Sequence, residues 1–96
     1  MERKIKNQTP AQILVGALKS WKIRMHEIDS CLGVSHPTAL RLLRNPDLLS
    51  GTQRSLLAAK LNLPVDIIDD LVNGKFATTE EFIETVSVPP LKKLFL

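Results

Sequence analysis

Tyrosine is missing from this chain, and one tryptophan and three phenylalanines are all the aromatics in its 96 residues. A core must therefore be built mostly from Leu, Ile, Val and Ala, and a hydrophobic share of 44% is enough for one. The single cysteine excludes an internal disulfide and suits a reducing compartment. No apolar run approaches the length of a membrane span, and the N-terminus has no signal-peptide core, so a soluble, cytoplasmic protein is expected. Enzymatic signatures are also lacking. The two histidines and one cysteine do not have zinc-ligand spacing, and there is no phosphate-binding glycine loop, GxSxG or GxGxxG. Asp69-Asp70 and Glu80-Glu81-Glu84 read as solvated faces and helix caps. No enzyme activity, cofactor or metal is expected. Sustained polar–apolar alternation, hairpin turns, repeats and low-complexity segments are absent too, which leaves an all-α chain.

What is present is an uneven distribution of charge. Residues 1–60 hold ten lysines and arginines against four acids, whereas residues 61–96 hold three lysines against six acids. No acid occurs between Ser30 and Pro46. A basic front and an acidic back suit a protein that presents one face to a polyanion, although ordinary scatter of surface charge gives the same count.

The stretch Arg24 to Asn45, RMHEIDSCLGVSHPTALRLLRN, organises the rest. Ile28 and Leu32 repeat at helical spacing. Gly33 then supplies a residue for which positive φ is cheap. Ser35 stands where it can cap the next helix, and Pro37 falls in that helix's first turn, where a missing N–H costs nothing. Ala39 and Leu42 face inward, while Arg41 and Arg44 lie on another face with His36 and Pro37 at the leading end. Asn45-Pro46 stops the helix. Helix, glycine turn and capped basic helix are the sequence form of a helix-turn-helix, whose second helix enters the DNA major groove.

Around this stretch the pattern predicts further helices. Residues 1–9 are polar and basic and are expected to be flexible. Thr9 and Pro10 open a helix to Ser20 with Ile13, Leu14, Ala17 and Leu18 as its apolar stripe, which Trp21 continues. Helices follow over Met25–Leu32, His36–Arg44, Thr52–Leu61 and Val65–Val72, with Leu56, Leu57 and Leu61 expected to be buried and Asn62 a left-handed cap. A sixth helix, about Thr79 to Val86, is expected behind a Thr78–Glu81 capping box. An extended Val88-Pro89-Pro90 and the apolar tail Leu91 to Leu96 come last. The expected organisation is a DNA-binding domain over residues 10–74, followed by a helix and tail over residues 75–96.

From Ile13 to Gly74 the chain resembles the Cro/C1-type (XRE) helix-turn-helix repressors of phages and bacteria. The resemblance is carried by Ile23, Ile28, Leu32-Gly33-Val34-Ser35, Thr38, Arg41, Leu42, Ala58, Leu61-Asn62-Leu63 and Val65-Asp66, and by the interval between Gly33 and Asn62. It implies a five-helix lambda-repressor-like fold and sequence-specific binding of double-stranded DNA. It also implies that His36, Pro37 and Arg41 read bases, Arg41 by a bidentate pair to guanine O6 and N7. Arg24, Ser35, Thr38 and Arg44 are then placed for phosphates, as are Thr52 and Gln53 at a helix N-terminus. Four positions depart from the family pattern. Met25 replaces a phosphate-holding glutamine, Asp29 stands where a small alanine is preferred, and Leu18 and Leu43 replace a charged pair. The last departure predicts a Leu18–Leu43 contact.

A palindromic operator calls for two copies of the chain. Phe82, Leu91, Leu94, Phe95 and Leu96 are the expected dimerisation residues, the alternative being a tail that packs back on its own bundle. The expected function is a phage- or prophage-type repressor acting as a homodimer. The alternative is an interaction module on the same fold, an antitoxin or antirepressor that binds a protein through its tail.

Overall fold

Caps written into the sequence start and stop the helices. In the computed structural model, which describes residues 7–87, Thr9 and Gln12 form a reciprocal capping box. With Pro10 at the first helical position, it opens α1 (Pro10–Ser20). The chain leaves α1 through Lys22, at φ 60°, and the Ile23 N–H returns to the Leu18 carbonyl at 2.9 Å. Helix α2 (Met25–Leu32) ends at Gly33, at φ 69°, and the N–H groups of Gly33 and Val34 both reach the Asp29 carbonyl. Helix α3 (His36–Arg44) ends at Asn45, whose side-chain and backbone nitrogens both donate to the Arg41 carbonyl. Ser50 and Gln53 cap α4 (Gly51–Leu61) reciprocally, and Asn62, at φ 64°, closes it. Helices α5 (Val65–Val72) and α6 (Thr79–Ser87) complete the set. The described residues contain six α-helices and no strand.

Helical spacing puts Ile13, Leu14, Ala17 and Leu18 of α1 on one face, and all four are buried. They meet Ile28 and Leu32 of α2, Leu42 and Leu43 of α3, Leu57 of α4, Leu71 of α5 and Phe82 of α6 in one apolar cluster. Leu18 and Leu43 are both in it, on two helices that pack together.

Several expectations are corrected. Leu56 is not buried but 40% exposed. Residues 45–50 are not a plain loop: Pro46–Leu48 forms a 3₁₀ turn that drives Pro46 and Leu49 inward. Helix α6 packs along α1. Phe82, expected at a subunit interface, is wholly buried in its own chain. It lies 5.1 Å from Phe76 in an edge-to-face arrangement and 6.1 Å from Trp21. The N-terminal segment is not free throughout, since the Gln8 N–H donates to the Ala77 carbonyl at 2.8 Å and its side-chain oxygen accepts the Thr79 N–H. Half of the expected α6 capping box forms. Thr78 Oγ1 accepts the Glu81 N–H, but the Glu81 carboxylate turns one residue back, to the Ala77 N–H. Leu91, Leu94, Phe95 and Leu96 lie outside the described residues.

Candidate nucleic-acid interface

Helix α3 is sided. Ala39, Leu42 and Leu43 are buried against the body of the molecule, while His36, Pro37, Arg41 and Arg44 are exposed. These four lie at spacings of three, four and one, so they share the outer face of a helix about two and a half turns long. Thr38 and Leu40 are half-buried at its flanks. The apolar backing fixes the axis of α3, and the exposed side chains are carried on it at defined heights.

Ser35 occupies the N-cap position with extended backbone, but its hydroxyl does not cap the helix. Instead it donates to Thr38 Oγ1 at 3.1 Å, which corrects the expected cap. His36 is not a free imidazole. Its Nδ1 lies 2.9 Å from the Asp29 carboxylate, seven residues back across the turn. The other Asp29 oxygen is buried with no hydrogen-bond partner. This pair ties the last turn of α2 to the first turn of α3, and it uses the acid that departs from the small residue the resemblance leads one to expect.

Arg24 is exposed at the start of α2, and its N–H donates to the Glu27 carboxylate. Glu27 also receives Lys60 Nζ at 3.0 Å. The Arg24 N–H first, and Lys60 second, hold the Glu27 carboxyl below its ordinary 4.5. Met25 is half-buried against the core. Thr52 is exposed on the first turn of α4. Gln53 has its backbone N–H and side-chain oxygen committed to the Ser50 cap, which leaves its amide nitrogen to donate. The Cys31 thiol donates to the Leu56 carbonyl at 3.3 Å, and burial pushes its pKa up.

The pairing of charge sorts the cations. Arg54 bonds Asp69 at 2.9 Å and the Leu49 carbonyl, Lys60 bonds Glu27, and Lys75 bonds Asp70. Arg54 thus ties α4 to α5 and leaves the basic front expected from the charge count. Among the described residues, Lys19, Lys22, Arg24, Arg41 and Arg44 have no acidic partner within ion-pair distance. Lys19 was not singled out by the sequence pattern. It shares with Arg44 the rim of a shallow depression of about 380 Å³ floored by Ala11, Val15 and Gly16 of α1. A cation one helix away from the basic helix carries no local sequence signal, because only the packing of α1 on α3 brings the two together.

The described residues contain no cluster of three His, Cys, Asp or Glu side chains placed to hold a metal, and no helix long and apolar enough to cross a membrane. Compared with family models, with curated proteins and with solved structures, the chain finds no match in any of the three.

Proposed function

We propose that this chain is a sequence-specific regulator that binds double-stranded DNA, with α2 and α3 as a helix-turn-helix and α3 as the helix that enters the major groove. In this reading α1 to α5 form a five-helix lambda-repressor-like domain of the Cro/C1 type, and α6 is added to its flank. The chain acts as a cytoplasmic homodimer on a palindromic operator and represses by occupying it, as phage and prophage repressors do. The observation that carries the reading is the sided α3, with apolar residues locked into the core and His36, Pro37, Arg41 and Arg44 exposed on its outer face. Arg41 is the strongest reader, because a guanidinium donates two parallel bonds to guanine O6 and N7, worth about 1–3 kcal/mol of discrimination. Pro37 offers apolar contact. Arg24, Arg44, Thr52 and the Gln53 amide supply phosphate contacts, which fix register and carry most of the affinity.

Selection from a random duplex library tests this. The wild-type chain should enrich a two-fold symmetric motif with half-sites about one helical turn apart. Arg41→Ala should lose preference at one symmetric position. Weak binding without sequence preference, equal in wild type and variant, would overturn the proposal.

A further inference from the structure

The Asp29–His36 pair bears on which kind of hydrogen bond a neutral His36 offers. The Asp29 side chain is 19% exposed and the His36 side chain 55%. The carboxylate is therefore held under α3, while the imidazole reaches out from the helix tip. A carboxylate oxygen accepts and has no proton to give. With 2.9 Å between Asp29 Oδ2 and His36 Nδ1, the ring nitrogen must be the donor. A neutral imidazole has one N–H, so Nε2 is left with a lone pair. The second Asp29 oxygen is buried without a partner, so no other donor competes for the carboxylate's hold on the ring.

We propose that Asp29 is a positioning residue that fixes His36 as a hydrogen-bond acceptor, so that His36 selects a base bearing an exocyclic amino group. This rests on the DNA-binding reading above. In the major groove adenine N6 and cytosine N4 donate, while guanine O6 and N7 and thymine O4 accept. A lone pair on Nε2 pairs with the first two and opposes the others. An imidazole free of Asp29 can carry its proton on Nε2 and turn to guanine or thymine. Asp29, which touches no base, thus sets the preference at one position of the site.

Two measurements test the proposal. The ¹⁵N shifts and long-range couplings of the His36 ring, recorded in the free wild-type protein with the imidazole neutral, should show Nδ1 protonated and Nε2 bare. In Asp29→Ala they should show the proton moved to Nε2. In duplex selection, His36→Ala identifies the base position that His36 reads. There the wild type should prefer adenine or cytosine by roughly three- to tenfold, the range of one hydrogen bond. Asp29→Ala should abolish or reverse that preference and leave the Arg41 position unchanged. A protonated Nε2 in the wild-type protein overturns the proposal, whatever the DNA result. An unchanged preference in Asp29→Ala overturns the positioning role while the DNA reading stands. Failure of the wild type to enrich any motif removes the DNA reading and the base contact with it, and the ring shifts still report whether Asp29 fixes the tautomer.

Discussion

Glu27 shows how one side chain can cap its own helix and join it to another. Its carboxylate accepts the Arg24 N–H at the start of its own helix and Lys60 Nζ from α4. Both favour the charged form, so the carboxyl titrates below its ordinary 4.5 in the folded chain. The stability that follows from this is full above 4.5 and is lost as pH falls through the lower folded value. Urea midpoints of wild type and Glu27→Gln should therefore differ at neutral pH and converge in acid; a gap independent of pH would contradict the assignment. Cys31 is shifted the other way, with burial raising its thiol above the ordinary 9.0. Since the thiolate is the nucleophile, alkylation at neutral pH, followed by mass, should be slower in the folded chain than in urea. Equal rates would mean that the thiol is open.

At the scale of the helices, α6 lies close against α1 at Gly16. A Cβ added at Gly16 would meet Thr79 Oγ1 at 2.7 Å and Thr79 Cγ2 at 3.1 Å. Thr79 is β-branched and short, so turning its side chain exchanges one clash for the other. Gly16→Ala should cost about 1–3 kcal/mol by forcing the helices apart. Combining it with Thr79→Ala should recover most of that loss in a double-mutant cycle. Additive losses would mean that the two residues are not in contact. The helices themselves were legible in the sequence, because most ends are marked by a residue with a local mechanism. Thr9 with Gln12, Gly33, Asn62 and Pro64 act within a few residues of where they stand. What each helix buries was less legible. Leu56 has the spacing of a core residue yet lies at the surface, and Leu49 sits in what reads as a loop yet is 4% exposed. Those outcomes depend on how the helices are oriented to one another, which no local pattern encodes. The same holds at the candidate interface. The basic face of α3 follows from spacing, whereas the Asp29–His36 bond and the approach of Lys19 to Arg44 exist only after α2, α3 and α1 have packed.

For the molecule as a whole, three of the four aromatic side chains meet at α6. Phe82 is fully buried between Phe76 and Trp21. The helix that reads as an appendage is therefore part of the core. Phe82→Ala should lower stability by about 3–5 kcal/mol, and chemical unfolding followed by tryptophan fluorescence and by helical signal should give coincident curves. A variant as stable as wild type would place α6 outside the cooperative unit. Acids predominate on α5 and α6, and the cations without an acidic partner lie on α1 to α3 and the turns between them. This distribution supports the proposed assignment of the DNA face to the sided α3.

The most direct test of this assignment is to titrate a short duplex into the ¹⁵N-labelled protein at low salt and map the amide shifts. The largest changes should fall at Arg24, at Ser35 to Thr38, at Arg41 and Arg44, and at Gly51 to Gln53, and α5 and α6 should stay still. Changes centred on α5 or α6, or none at any duplex concentration, would contradict it.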